Sequence, residues 1–220
     1  MGFTGIPASA FDFYARLEAD NTKSFWTANK EVHRSLVRDT MVALGDELAD
    51  FGPFHVFRPY NDLRFAKHKP PYKTAQGMYG ESDGGAGHYV QISAEALMTG
   101  AGYYAMAKDQ LERFRAAVDA EATGAEIEAI AAGLSAAGYE IGAISELKTA
   151  PRGYPKDHRR IALLRRKGLM ASRSWPQAAW MHRPGAAGRI RRAWEDAAPL
   201  CGWLDTHVGP STLPPPEFGR

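Results

Sequence analysis

The stretch NTKSFWTANKEVHRSLVRDTMVALGDELADFG, residues 21–52, sets the framework of the predicted fold. Its apolar residues recur at the helical spacing, at positions 25, 26, 32, 36, 37, 41, 44 and 48. Asn21 or Thr22 can cap the start of this helix, and Gly52 marks its end. The pattern therefore predicts one long amphipathic helix on which the rest of the domain is assembled.

The segments after this helix are short, and glycines separate them. Four stretches rich in aromatic and β-branched residues are typical of strands, at 54–60, 72–80, 87–95 and 99–106. GESDGGAG, residues 80–87, is typical of a turn between antiparallel strands. We expect an antiparallel meander, in which the glycines of TGAGYYAM allow close approach of the backbones.

Helical patterns flank the predicted strands on both sides. Ser9 and Asp12 form a capping pattern for a first helix. The later patterns predict helices at 109–122 and 125–138 separated by Gly124, a short basic helix at 157–168, a strand at 169–175, and a helix at 185–209 that Pro199 interrupts. The prediction is an α+β fold with one domain over residues 1–209: N-terminal helices, a central mostly antiparallel sheet and C-terminal helices packed on it. We expect the proline-rich tail, 210–220, to be disordered.

Composition excludes several classes of protein. The chain of 220 residues is 45% hydrophobic and 24% charged, which is typical of a globular protein. No apolar run approaches the roughly 20 residues that span a bilayer, so we expect no membrane partner. The N-terminus has no pattern of a secretory signal, and Cys201 is the only cysteine. A cytoplasmic location is therefore expected.

Charge is strongly segregated along the chain. Residues 81–147 carry three Lys/Arg and eleven Asp/Glu, whereas residues 148–173 carry nine Lys/Arg and one Asp/Glu. A second basic block, residues 58–73, carries five Lys/Arg and one Asp. Two arrangements are open: the basic blocks meet in one cationic surface, or the acidic block covers them in an internal network of ion pairs.

Several motifs together resemble a known family. RFAKHKPPYKT (64–74), NTKSFWTANK (21–30), GHYVQIS (87–93), GAGYY (100–104) and PRGYPKDH (151–158) are similar, in this order, to motifs of the domain of unknown function 2461 family. The likeness runs from about residue 11 to about residue 204. It implies a single α+β domain in a cytosolic protein and supplies no reaction. The chain departs from the family pattern at four positions: Asn61, Leu63, His68, where an aspartate is expected, and Pro70.

The first candidate site is the basic loop around Pro70 and Pro71. Two prolines restrict the backbone, and an arginine fork with several lysines suits phosphate or carboxylate. The residues predicted to bind a ligand here are Arg64, Lys67, Lys69, Tyr72 and Lys73. The alternative is an exposed charged loop that Phe65 and Tyr72 anchor to the core.

The second candidate site is KTAPRGYPKDHRR, residues 148–160. Arg152 and Tyr154 are predicted to bind a ligand, and His158 is the candidate general acid or base. Its alternative role is structural, at the start of a helix. If the two proline-containing loops close on one cleft, that cleft binds an anionic small molecule such as a phosphate or nucleotide.

Other functions stay open at this level. Nucleic-acid binding is a weaker alternative, based on HRRIALLRRKG (158–168) and GRIRRAW (188–194), and a protein-interaction module is a further alternative. The seven histidines show no metal-binding spacing, so no metal site is predicted. The sequence identifies no cofactor, and it leaves enzymatic activity and oligomeric state undecided.

Overall fold

The structure, a computed structural model, describes residues 2–62, 69–81 and 84–214. Its helices are α1 (Ala8–Ala19), α2 (Lys23–His33), a π-helical turn (Arg34–Arg38), α3 (Asp39–Glu47), α4 (Lys108–Asp119), α5 (Glu121–Ala136), α6 (Ile161–Leu164), α7 (Ala186–Asp196) and α8 (Ala198–His207). Its strands are β1 (Phe54–Val56), β2 (Ala75–Glu81), β3 (Gly87–Ser93), β4 (Ala96–Tyr103), β5 (Glu140–Gly142) and β6 (Leu169–Pro176). Short 3₁₀ turns cover Ala49–Phe51 and Ala179–His182.

The strands form one antiparallel sheet in the order β1-β2-β3-β4-β6-β5. The first four strands follow each other in sequence as the predicted meander, and β6 then pairs between β4 and β5. Helices precede and follow the sheet along the chain. The α+β class, with N-terminal helices, a central antiparallel sheet and C-terminal helices, is confirmed.

The long N-terminal helix is confirmed, and one π-helical turn lies within it. Helix α2, the π-helical turn and α3 follow one another without a break, and Thr22 Oγ1 accepts a hydrogen bond from Phe25 N at 3.2 Å, as the predicted cap requires. Trp26, Val37 and Met41 lie on its buried side. The capping prediction for the first helix is wrong: α1 begins at Ala8, Pro7 precedes it, and no side chain caps it.

Gly124 does not separate the two middle helices. Helix α4 ends at Asp119, where Ala120 takes an extended ψ of 138°, and Gly124 lies inside α5. A Cβ atom at position 124 would lie 2.2 Å from Val118 O and 2.6 Å from Arg160 Nη1. Close packing against Val118 and Arg160 therefore requires glycine at position 124, and the end of a helix does not.

Close backbone approach in GAGYY is confirmed at Gly102. This residue has a φ of +129°, and a Cβ atom there would lie 2.4 Å from Leu169 O and 2.9 Å from Met170 Cα. Only glycine fits both the left-handed backbone and the contact. The interruption at Pro199 is also confirmed, since α7 ends at Asp196 and α8 starts at Ala198 with this proline in its first turn.

The chain divides into two compact units. The first unit contains Met1–Glu81, His88–Gly100 and Arg173–Glu195, and the second contains Ser82–Gly87, Ala101–Ser172 and Asp196–Arg220. That residues 1–209 behave as one domain stays a prediction. In the first unit, Phe11, Phe13, Tyr14 and Leu17 of α1 are buried. In the second, the buried residues include Phe114, Ile127, Leu134, Trp203 and Leu204.

The start of the C-terminal tail has partners within the second unit. Asp109 accepts hydrogen bonds from Ser211 Oγ and from Thr212 N, both at 2.8 Å, and Arg113 Nη2 donates to Pro210 O at 2.8 Å. Residues 215–220 lie outside the described part of the chain. The N-terminal end of α4 therefore holds residues 210–212 in place.

Within the described residues, no helix has the length and apolar content needed to cross a bilayer.

Candidate anion-binding cluster of the first unit

The first basic loop is carried by a two-stranded ribbon. Lys73 N donates to Pro59 O at 2.8 Å and Asn61 N donates to Pro71 O at 3.0 Å, and an antiparallel bridge joins Tyr60 to Tyr72. The predicted ligand-binding residues Arg64 and Lys67, together with Phe65 and His68, lie outside the described residues. Their predicted roles stay predictions.

Tyr72 anchors this ribbon to α2. Its ring is stacked on Trp26 with centroids 4.5 Å apart and an interplanar angle of 13°, and only 6% of the residue is exposed. Asn21 Nδ2 donates to Tyr72 O at 2.9 Å, and Tyr72 N donates to Asn21 Oδ1 at 3.1 Å. Burial raises the pKa of the Tyr72 hydroxyl. These contacts agree with the alternative prediction from the sequence, in which Tyr72 anchors an exposed loop to the core.

Lys73 lies on the other side of the ribbon, because successive residues of an extended chain point in opposite directions. Its Nζ lies 5.4 Å from the centroid of the Phe57 ring, a cation–π geometry. Burial lowers the pKa of Lys73, and the positive charge of Arg58 lowers it further. Lys73 is half-buried, whereas Arg58 and Lys69 are exposed.

These three cations have no acidic partner among the residues that the structure describes. Between described residues of the first unit, the ion pairs join Arg34 to Glu31 and Asp39, Arg38 to Asp39, and Arg191 to Asp50. Nearby like charges without a counter-charge are unfavourable for both cations. This arrangement distinguishes the ribbon from the paired arginines of the second unit.

The sheet beside Lys73 adds aromatic and amide groups. The Phe57 ring lies 6.2 Å from that of Tyr89, and Tyr89 Oη donates to Gln91 Oε1 at 2.6 Å. Gly77 leaves space for this tyrosine, since a Cβ atom there would lie 2.5 Å from Tyr89 Oη. We call Phe57, Arg58, Lys73, Tyr89 and Gln91 the Lys73 cluster. Sequence reasoning missed four of its members, and the alternation of Tyr89 and Gln91 in GHYVQIS is the signal that places them on one face.

A buried polar group lies beneath this cluster. Gln76 Nε2 donates to Phe57 O at 2.7 Å and to Gly77 O at 3.0 Å, which fixes the backbone at both positions. Burial lowers the pKa of His33 to about 4, an effect that the side chain of Gln76 partly offsets. Tyr14 Oη lies 3.4 Å from His33 Nε2. At neutral pH His33 is therefore uncharged, and it fills the core between α1 and α2.

The second candidate loop lies in the second unit. Arg152 is exposed, and Tyr154 is half-buried with its ring centroid 6.4 Å from that of His158. Burial raises the pKa of the Tyr154 hydroxyl, and the charge of Asp119 adds to this effect. No ion pair between described residues includes Arg152. Since the two loops belong to different units, their common cleft stays a prediction.

His158 has partners at both ring nitrogens. Its Nε2 lies 3.1 Å from Asp119 Oδ1, and its Nδ1 accepts a hydrogen bond from Arg160 N at 3.0 Å. The second contact places the ring at the start of α6, as the structural alternative requires. This arrangement leaves neither nitrogen directed at a substrate, so the geometry gives no support to a role in proton transfer.

The arginines that follow His158 are paired with the acidic block. Arg160 is 2% exposed and donates from Nε to Glu128 Oε2 at 2.6 Å, a bond that raises the pKa of the guanidinium. Arg159 Nη1 lies 2.9 Å from Glu121 Oε1, and Arg166 Nε lies 3.4 Å from Glu146 Oε1. Arg160 is thus buried in an ion pair, whereas Arg159 and Glu121 pair at the surface and Arg165 donates to Leu147 O instead.

Metal ligands do not cluster in this part of the chain: among residues 2–62, 69–81 and 84–214, no group of three or more His, Cys, Asp or Glu is arranged to hold a metal ion. Cys201 is a buried free cysteine, and burial raises the pKa of its thiol to about 12. A buried thiol of this kind is unreactive as a nucleophile at neutral pH.

Comparison with known proteins places the chain in a family. A comparison with curated proteins gives no significant match. The family model described as "Conserved hypothetical protein (DUF2461)" matches residues 9–203, which include α1, the Lys73 cluster and the paired arginines of the second unit. Because this match covers most of the 220 residues, the chain belongs to the domain of unknown function 2461 family.

Proposed function

We propose that the protein binds a small anionic molecule, of the phosphate or nucleotide class, at the Lys73 cluster. The observation that carries the proposal is the pair of neighbouring cations, Lys73 and Arg58, with no carboxylate partner among the described residues. Lys69, two residues before Pro71 and exposed, adds a third positive charge to the same ribbon.

The electrostatics of the pair support an anionic ligand. Two like charges held near each other cost free energy, and partial burial of Lys73 adds a desolvation cost. A bound phosphate would offset both costs, and the arginine fork suits its oxygens better than a lysine would. The Tyr89–Gln91 pair and the backbone groups that Gln76 fixes give the site a rigid floor.

The remaining residues of the sequence prediction belong to the same proposal. Arg64 and Lys67 precede Pro70 in the loop, and Arg152 and Tyr154 would add to the site if the second loop takes part. A cytoplasmic location, which the single cysteine suggests, fits a phosphorylated small molecule as the ligand. Lys73 and Arg58 carry the argument without these additions.

A thermal-shift screen tests the proposal with inorganic phosphate, ATP, AMP and glucose 6-phosphate as probes. At a ligand concentration of about 100 times Kd, binding stabilises the folded state by about 2.7 kcal/mol. For a chain of this size, that gain corresponds to a rise in Tm of about 5–10 °C. We expect one of these probes to raise the Tm of the wild-type protein.

Lys73→Met is the decisive variant, and Lys30→Met is its matched control. Lys30 is exposed on α2 of the same unit, so both changes remove one positive charge. We expect the shift to disappear in Lys73→Met and to persist in Lys30→Met. A wild-type Tm that no probe changes contradicts the proposal, as does a shift that survives Lys73→Met together with Arg58→Gln. Arg64→Ala separately tests the loop prediction.

A further inference from the structure

Strand β1 ends the sheet, and some of its backbone groups have no hydrogen-bond partner among the described residues. Its residues lie opposite those of β2 in the register Phe54↔Gly80, His55↔Tyr79 and Val56↔Met78. Phe57 N donates to Gly77 O at 3.0 Å, which identifies the next pair as a hydrogen-bonded one. Because such pairs alternate in antiparallel sheets, the N–H and C=O groups of Phe54 and Val56 point away from β2. These groups can pair with another extended chain.

An apolar groove runs between this edge strand and α3. It has a volume of about 260 Å³ and is lined by Met41, Val42, Gly45, Asp46, Ala49, Gly52, Pro53, Phe54 and Val56. Gly45 keeps the groove open, since a Cβ atom there would lie 3.2 Å from Phe54 Cβ. The volume falls below the roughly 300–1,000 Å³ of sites for drug-sized ligands. It is better suited to one or two side chains of an extended peptide.

Acidic side chains without an arginine partner remain in the segment that lines this groove. Residues 39–57 contain four Asp/Glu and no Lys or Arg, and Asp39 is paired with Arg34 and Arg38. Asp46 is exposed at the groove, and no ion pair between described residues includes it, whereas Asp50 is paired with Arg191 at 2.8 Å. An acidic, partly apolar groove attracts a segment that combines basic and apolar side chains.

We infer that this edge binds an extended segment of another protein, in which one row of alternate residues contains apolar side chains and one Lys or Arg. The segment would add a strand to β1 and direct this row at the groove, with the apolar side chains inside it and the basic side chain at Asp46, because alternate residues of a strand lie on one face. A second copy of this chain is a poor occupant, because two-fold pairing of β1 would bring the same acidic segment against itself. The inference is independent of the proposed anion site.

Fluorescence polarisation with labelled heptapeptides tests the inference. In the probe, every second residue forms the groove-facing row of valines with one lysine, and the other residues are serines. One comparison peptide has glutamate in place of the lysine, and another is the lysine peptide with proline at its centre. We expect saturable binding of the lysine peptide alone. Asp46→Lys should weaken its binding about tenfold, which corresponds to 1.4 kcal/mol, and should allow the glutamate peptide to bind.

Two further variants separate a specific site from general charge attraction. Asp12→Lys makes the same charge change at an exposed position of α1 and should leave the affinity unchanged. Val56→Pro removes one outward N–H without removing a bond to β2, and it should abolish binding while circular dichroism and Tm report an intact fold. Equal weakening by Asp12→Lys and Asp46→Lys overturns the inference, as does equal binding of the proline-containing peptide.

Discussion

Lys73 makes the stability of the first unit depend on pH in a defined direction. Burial and Arg58 lower its pKa from the ordinary 10.5, so the folded state binds this proton less tightly than the unfolded chain. The charged lysine therefore costs stability in full below the folded pKa, and this cost decreases as the pH rises from that pKa to the ordinary value of 10.5.

We expect Lys73→Met to increase the free energy of unfolding at pH 7. The gain should stay below about 1 kcal/mol, the range of partly exposed charges, and should shrink as the pH approaches 10. Denaturant unfolding at both pH values measures it, with Lys30→Met as the control for loss of a lysine. A gain that grows with pH would contradict the assigned shift.

At Gly102 any side chain would strain the backbone and collide with the neighbouring strand. Gly102→Ala places a Cβ atom 2.4 Å from Leu169 O at a φ of +129°, and we expect a loss of about 2–3 kcal/mol in the free energy of unfolding. Gly202→Ala is the control in the same unit, because this helical glycine has open space around its Cβ position. It should stabilise the protein by up to about 1 kcal/mol. Equal effects of the two changes would show that the β4 contact is not tight.

The basic loop shows what the sequence predicts about a site and what it misses. The charges and the anchoring alternative for Tyr72 are visible in the sequence, because aromatic and basic residues alternate there. The partners are not visible, since Trp26 and Tyr89 come from elements far along the chain. The sequence shows Arg58 only as part of a basic block. Its position near Lys73 depends on the pairing of residues 59–61 with residues 71–73 in the ribbon.

At the scale of elements, the π-helical turn accommodates one additional residue between α2 and α3. Each residue of an α-helix advances it by about 100°, so a local π turn keeps both flanking helices in phase with the core. Deletion of Ser35, an exposed residue of this turn, should restore a regular helix and leave cooperative melting intact. Deletion of Ala43 from α3 should abolish cooperative melting, because it rotates Leu44 and Leu48 out of the core. Thermal melts followed by circular dichroism compare the two deletions.

The tail contact with α4 gives a second prediction at this scale. The hydrogen bond from Thr212 N lowers the pKa of Asp109, and Ser211 and Arg113 lower it further, against a partial offset from burial. A carboxyl group with a lowered pKa stabilises the contact above its ordinary pKa range, and the stabilisation is lost as the pH falls through the folded pKa.

Asp109→Ala should therefore release the tail. We expect the Thr212 amide to exchange its hydrogen at least about tenfold faster in this variant, because the charge-assisted hydrogen bond that protects it is lost. Hydrogen exchange measured at pH 7 tests this, with Asp157→Ala, an exposed acid in the second loop, as the control. Unchanged exchange in Asp109→Ala would contradict the contact.

The element boundaries show the limit of local sequence signals. The sequence predicts the period of the long helix, the strand patterns and the break at Pro199 correctly, because each depends on residues near one another in the chain. The prediction of a helix end at Gly124 is wrong, because the role of this glycine depends on contact with Arg160. The local sequence pattern carries no information about that contact. The cap assigned to Ser9 failed for a related reason: Pro7 restricts the backbone one residue before α1, and the helix starts there.

At the scale of the whole molecule, the two basic blocks differ in their surroundings. Arg159, Arg160 and Arg166 are paired with acids of the second unit, whereas Lys73 and Arg58 have no such partner among the described residues. The segregation of charge was visible in the sequence, but it predicted both arrangements equally. Only the tertiary structure distinguishes them, and nucleic-acid binding by HRRIALLRRKG stays a prediction.

Arg160→Met should lower Tm much more than Arg152→Met, which removes the same charge from an exposed site. Loss of Arg160 removes the buried guanidinium that pairs with Glu128 and Glu121 and donates to Val118 O, and the exposed Arg159 is then their remaining partner. Differential scanning fluorimetry compares the two variants. If nucleic acid bound through this segment, both changes would weaken binding to mixed single-stranded DNA and reduce its salt dependence, and we expect no such binding.

The fit between Gly124 and Arg160 also constrains how other members of the family can vary. The guanidinium occupies the volume in which a side chain at position 124 would begin. A larger residue there would also meet Val118 O at 2.2 Å, so a relative that has one must have both lost the buried arginine and shifted the end of α4. The two positions, 36 residues apart in the chain, should consequently change together during evolution.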